Sequence, residues 1–158
     1  MTTTIAIPQR LDFDALAPIF SRAMSTLDDA ATQQLDHAGI DPALRELVRL
    51  RASQLNGCAY CVDMHSRAAR KEGVTAQRVD ALAVWPESGL FTAAERAAFA
   101  LTEDVTRLSE THVPEPTVSA AVAEFGEEGA AALIALSTAI NMWNTVGVST
   151  RCWSVSPA

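Results

Sequence analysis

An all-α fold, a bundle of six to eight helices joined by short connections, is predicted by three features of this 158-residue chain. Apolar residues recur at intervals of three and four along most of it, the spacing that lines one face of a helix. No stretch alternates convincingly with period two, as a half-buried strand would. Alanine, which loses no side-chain entropy in a helix, is very frequent.

Residues 1–10 read as an extended arm. Phe13, Leu16, Ala17, Phe20 and Met24 then predict a helix over Phe13–Met24, capped by Asp12. A second, short helix is expected from Leu27 to Ala38, stopped by Gly39 as a left-handed terminal residue. Asp41 and Pro42 open the next helix, since proline at its first position sacrifices no helical N–H. That helix runs to Leu55 and breaks at Asn56-Gly57. Another extends from Cys58 to about Glu72 and ends at Gly73. Thr75 starts a short helix that ends before Trp85-Pro86. Thr92 and Glu95 form a capping box for a helix carrying Phe99, Leu101 and Val105. Pro114 and Pro116 mark a break and restart, and Gly126 ends that segment. A last helix is predicted from Glu128 to Val146, with Leu133, Leu136, Ile140 and Trp143 at helical spacing.

The length suits one domain, taken as residues 1–158. With 49% hydrophobic residues the chain can bury a core without disulfide or metal staples. Its net charge of −7 argues against nucleic acid or an anionic membrane surface as the main partner, because both demand positive charge. Met1 to Pro8 lacks the basic and apolar regions of a secretory signal. The richest apolar run, Ala130–Ile140, is too short to span a bilayer and fits a buried helix. A cytoplasmic, reducing location is therefore expected, where a close dithiol is more often catalytic or metal-binding than structural.

Asn56-Gly57-Cys58-Ala59-Tyr60-Cys61, followed by His65, concentrates the chemistry. Cysteine reacts as thiolate. At a helix start, unpaired backbone N–H groups and the helix dipole stabilise negative charge. Two intervening residues let the sulfurs approach disulfide distance, with one thiol expected to be more exposed than the other. Cys61 and His65 are i and i+4 and share a face, so the imidazole can take a thiol proton or hold a thiolate by its charge. Glu46 sits between Leu44 and Leu47 on the preceding helix, where a charge needs a partner. If Asn56-Gly57 folds that helix back, Glu46 reaches His65 or one of the thiols.

Simpler roles are available to the same residues. The cysteine pair can be inert packing. Cys58, Cys61 and His65 can supply three zinc ligands, with Cys152 or His37 as the only obvious fourth. Tyr60 reads as packing or a pocket wall, and Cys152 as a lone cysteine. Trp143 and Trp153 near the end of an apolar helix fit either an intersubunit face or the core of one subunit.

The segment from Glu46 to His65 resembles the AhpD-like alkylhydroperoxidase branch of the carboxymuconolactone decarboxylase superfamily. The carboxylate, Asn56-Gly57, both cysteines and His65 keep the family spacing, and Ile140-Asn141-Met142-Trp143-Asn144 also matches. The match covers about residues 40–150. The resemblance implies an all-helical, homo-oligomeric protein, a trimer or hexamer. It also implies reduction of small-molecule hydroperoxides by a Cys58/Cys61 dithiol/disulfide cycle. Glu46 would be the active-site carboxylate and His65 the proton relay. No bound cofactor is implied; an external thiol or lipoyl-type reductant is, carried by a lipoylated or thioredoxin-like protein. Two positions depart from the pattern. Tyr60 replaces a second histidine found in characterised members, and Thr145 stands where many relatives have arginine. Rival functions are a non-catalytic redox-responsive binding protein and a decarboxylase-like enzyme for a small organic acid. The latter would need a basic cluster, for which Arg49 and Arg51 are nearest.

Overall fold

The computed structural model describes residues 5–155, and among them it is helical with no strand. Eight α-helices follow in order: α1 (Phe13–Leu16), α2 (Pro18–His37), α3 (Pro42–Asn56), α4 (Ala59–Lys71), α5 (Ala76–Ala81), α6 (Ala93–Thr106), α7 (Leu108–Thr111) and α8 (Glu115–Thr150). A 3-10 turn, Leu82–Glu87, lies between α5 and α6.

Most boundaries follow the local signals. The Asp12 carboxylate accepts from Ala15 N at 3.2 Å, and that of Asp41 accepts from Ala43 N at 2.7 Å. The capping box closes reciprocally, with Thr92 N donating to Glu95 and Glu95 N to Thr92 Oγ1. Part of the expected N-terminal arm, residues 1–4, lies outside the described residues; residues 5–10 are exposed and carry no helix. Arg10 N and Leu11 N both donate to Thr150 O, which anchors this segment to the end of α8.

Three expectations are corrected. The first two helices do not break near Ser25; the break falls at Ala17-Pro18, and α2 is continuous for 20 residues. Ser25 and Thr26 return their hydroxyls to the carbonyls four residues earlier, so neither opens a new start. The short helix opened by Thr75 ends at Ala81, before Trp85-Pro86 as expected, and the 3-10 turn follows it. Arg96 holds that turn, donating to the carbonyls of Trp85, Pro86 and Ser88. The short α7 has no counterpart among the expected elements. Finally, α8 contains a window long and apolar enough, by length and composition, for a membrane span, with mean hydropathy 1.3. Residues 129–150 carry no charge. In this bundle the same stretch is a core helix, and its polar Ser137, Asn144 and Thr150 are buried.

The core sits where α3, α6 and α8 meet, around Leu47, Leu50, Phe99, Leu101, Leu133 and Leu136. The α2 helix packs on α8 from the other side, and α4 folds back along α3. Two glycines make this arrangement possible. Gly57 ends α3 at φ 68°, and Gly126 interrupts α8 at φ 71°, ψ 173°. The latter conformation is essentially reserved for glycine. A β-carbon at Gly126 meets nothing within 4 Å, so any cost there is purely backbone strain. Gly126→Ala is expected to lower stability by about 1–3 kcal/mol. A fall in the urea midpoint with an unchanged slope checks this.

Candidate active site

The reversal at Gly57 brings the end of α3 against the start of α4 and places the motif there. Cys58 is the N-cap of α4, and its sulfur accepts from Cys61 N at 3.4 Å, where a serine or aspartate oxygen usually sits. Cys61 follows in the first turn. The two are joined in a disulfide, with Cα atoms 5.3 Å apart. Sulfur at this helix end is therefore aimed at by a backbone N–H, which favours a thiolate when the pair is reduced.

The expected difference in exposure between the two sulfurs is absent. Both cysteines are 2% exposed. They differ in what they face. Cys61 lines a pocket of about 370 Å³. Cys58 packs on α8 at Gly147, where an added β-carbon would lie 3.0 Å from its sulfur. Only a residue without a side chain lets α8 approach so closely.

His65, one turn after Cys61, lines the same pocket. Its Nδ1 lies 2.8 Å from Glu46 Oε2, so the α3 helix does deliver Glu46 to His65. Arg49, one turn along α3, donates to Glu46 Oε1 at 2.8 Å. Burial opposes ionisation of Glu46, but the His65 hydrogen bond and the Arg49 charge outweigh it and hold the carboxyl below its ordinary value. An ionised carboxylate only accepts, so His65 Nδ1 carries the proton. Nε2 is left buried with no hydrogen-bond partner among the described residues. In the neutral ring that atom is a lone-pair acceptor, on a side chain that lines the pocket with Cys61.

A second polar network locks this corner to α8. Asn56 donates to Asn141 Oδ1 at 2.7 Å and to Asn144 Oδ1 at 3.0 Å. Asn144, 1% exposed, donates to Ser53 Oγ. The asparagines of the 140–144 segment thus hold the bend that carries the cysteines.

Arg49 and Arg51, the candidate anion binders, are both committed. Arg49 also lies 3.4 Å from Thr32 and 3.9 Å from Asp28, and Arg51 is bound to Glu103 at 2.7 Å. No group of three or more His, Cys, Asp or Glu side chains among the described residues is placed to hold a metal.

Several pocket residues escaped the sequence reading. Trp153 lines the pocket, its ring 5.8 Å from Tyr60 and 5.5 Å from Trp143. The Trp153 indole N–H donates to Asp14, pinning the C-terminal tail to α1. Tyr60 is a pocket wall, one of the roles expected of it, and the half-buried Trp143 and Trp153 rings meet at a tilt of 59° beside it. Ser21, Ser25 and Asp28 of α2 also line the pocket. A signal for them exists: Ser21, Ser25, Asp28 and Thr32 form a stripe of short polar residues at spacing four, three and four, the side of a helix turned to a polar cavity.

Residues 18–104 match the carboxymuconolactone decarboxylase family. The uncharacterised protein YdfG of Bacillus subtilis is 33% identical over 141 residues, spanning 89% of this chain and 93% of YdfG. The alkyl hydroperoxide reductase AhpD of Maricaulis maris is 43% identical over a shorter 47 residues, 30% of this chain and 27% of its own. Among solved structures, ATU0492 of Agrobacterium tumefaciens superposes with a TM-score of 0.88 at 30% identity, over 95% of this chain and all of its own. It is a protein of unknown function provisionally named an AhpD antioxidant defence protein. The debrominase Bmp8 shares the fold, with a TM-score of 0.65 at 20% identity, over 84% of this chain and 75% of its own.

Proposed function

This chain belongs to the carboxymuconolactone decarboxylase family, and from that premise we propose that it is a thiol-dependent hydroperoxidase cycling between the Cys58/Cys61 dithiol and its disulfide. The observation that carries the proposal is one pocket holding Cys61 beside a His65–Glu46 pair, with the resolving sulfur of Cys58 already within bonding reach.

In the reduced protein, His65 Nε2 takes the proton of Cys61. The Cys61 thiolate attacks the terminal oxygen of ROOH; an S–O bond forms and the O–O bond breaks. His65 returns its proton to the leaving alkoxide, giving ROH and a sulfenic acid. The Cys58 thiol then gives up its proton and attacks the Cys61 sulfur, that proton goes to the departing hydroxide to make water, and the disulfide forms. A dithiol donor of lipoylated or thioredoxin-like type supplies two electrons and two protons and becomes a disulfide itself. Glu46 holds the His65 tautomer and stabilises the imidazolium. Tyr60 takes the place of a second relay histidine as part of the aromatic wall, leaving proton transfer to His65 alone. The exposed Leu16, Ile19, Phe20 and Leu27 on α1 and α2 support the homo-oligomeric part of the reading.

Reduced protein mixed with an alkyl hydroperoxide should lose two thiols per chain and keep Cys152 free. With a suitable dithiol donor, peroxide consumption should continue for many turnovers. A single oxidation, with no sustained consumption under dihydrolipoamide, thioredoxin or small thiols, would replace this proposal by a redox-responsive binding role. The organic-acid reading has less support, because both candidate arginines are spent on carboxylates of the chain itself.

A further inference from the structure

The walls of the pocket carry chemistry that a peroxide group alone does not use. Its volume of about 370 Å³ is within the range of small-molecule sites. Hydrogen peroxide, little larger than a water molecule, would leave it mostly unfilled. One side is aromatic, formed by Tyr60, Trp143 and Trp153, with Met64 beside them. Such rings favour a flat partner with offset or edge contacts, and the thioether adds a polarisable neighbour.

The charges point the same way. Asp14 and Asp28 bring carboxylates to the lining, and Asp14 is held ionised by hydrogen bonds from Ser21 and Trp153, which lower its pKa. Arg49 is the only arginine or lysine there, and it is engaged by Glu46 and by Asp28. No free cation among the lining residues is left to balance an anionic ligand. The polar atom without a partner is His65 Nε2, on a side chain 7% exposed.

We infer that the pocket selects a neutral organic hydroperoxide carrying a planar aromatic group, which rests against Trp143, Trp153 and Tyr60 while its peroxide group meets Cys61 and His65. The reacting group rests on the hydroperoxidase reading above; the ligand class rests on the pocket walls alone. Ionised fatty-acid hydroperoxides are disfavoured by the carboxylates, and small hydroperoxides gain little from the aromatic wall.

Two measurements on the full chain separate these claims. In the first, kcat/KM is compared for cumene hydroperoxide and tert-butyl hydroperoxide with a dithiol donor. A preference of about tenfold or more for the aromatic substrate is expected, the scale of a well-filled apolar subsite. Trp153→Ala should bring that ratio close to one. In the second, 2-phenyl-2-propanol, tert-butanol and benzoate are titrated into the oxidised protein while tryptophan fluorescence is followed. The aryl alcohol should quench saturably, and the other two at least about tenfold more weakly. Equal kcat/KM for the two hydroperoxides overturns the aromatic selection, and benzoate binding as well as the alcohol overturns the charge selection. Saturable binding of the alcohol alone, without turnover of any hydroperoxide, supports the ligand class and sinks the hydroperoxidase reading.

Discussion

Cys61→Ser is expected to abolish peroxide consumption, lowering kcat/KM at least about a thousandfold, the scale of removing a reacting nucleophile. Serine fits the space, but its hydroxyl neither ionises near neutral pH nor forms an S–O bond. Cys58→Ser gives a different defect. The first oxidation of Cys61 should proceed at close to the normal rate, but the sulfenic acid has no thiol at position 58 to condense with, and steady-state turnover should fail. A burst of about one peroxide per chain in Cys58→Ser, and none in Cys61→Ser, is the signature. The reverse pattern would move the peroxide-reacting role to Cys58. That outcome has to contend with the packing of Cys58 against Gly147, away from the pocket lining.

Glu46→Ala has the largest expected effect on stability. It leaves Arg49, with a side chain 12% exposed, and the Nδ1 of His65 without their shared acceptor. Stranding one member of a buried ion pair costs about 3–5 kcal/mol; the remaining Thr32 and Asp28 contacts of Arg49 place this case near 3 kcal/mol. For a chain of this size that is a drop of about 6–12 °C in Tm. Glu46→Gln keeps the shape and separates charge from geometry. The amide oxygen still accepts from His65 Nδ1, but the imidazolium loses its counter-charge, and turnover is expected to fall by about 10- to 100-fold.

The same pair makes a pH prediction. The folded-state pKa of Glu46 lies below its ordinary value of 4.5, so the unfolded chain takes up this proton at the higher pH. The stabilisation is therefore complete above pH 4.5 and is lost as pH falls through the lower folded-state value. Acid unfolding followed by circular dichroism should be steeper in this window for the native protein than for Glu46→Gln. Equal slopes would mean that the carboxylate contributes nothing through its ionisation.

The site divides sharply by how far apart its parts lie in the chain. Cys58, Cys61 and His65 are legible from spacing, because one helix fixes their relation: a cap, its first turn and the turn after. Glu46 was legible conditionally, since nineteen residues separate it from His65 and only a reversal at Asn56-Gly57 brings them together. The left-handed Gly57 makes that reversal. The partition of α1 and α2 was misread for the opposite reason. The hydroxyls of Ser25 and Thr26, between the two expected segments, are spent on the preceding turn, and packing of α2 on α8 carries the helix through.

Trp153 was the least accessible. It contacts Asp14 across 139 residues, in a segment with no periodicity to betray its direction. Arg49 was visible as a charge but not as a bound one, because its partners lie on two helices whose approach is set by packing.

Local rules suffice for the all-α class, most helix ends and the redox hairpin, because caps, glycine turns and the 3.6-residue period act over a few residues. Tertiary packing alone decided that Cys61, not Cys58, faces a cavity, and that α1, α2 and the C-terminal tail wall it. Those outcomes depend on which faces of distant helices bury together, and on one missing side chain at Gly147, which lets α8 close over Cys58 while Cys61 stays beside the pocket.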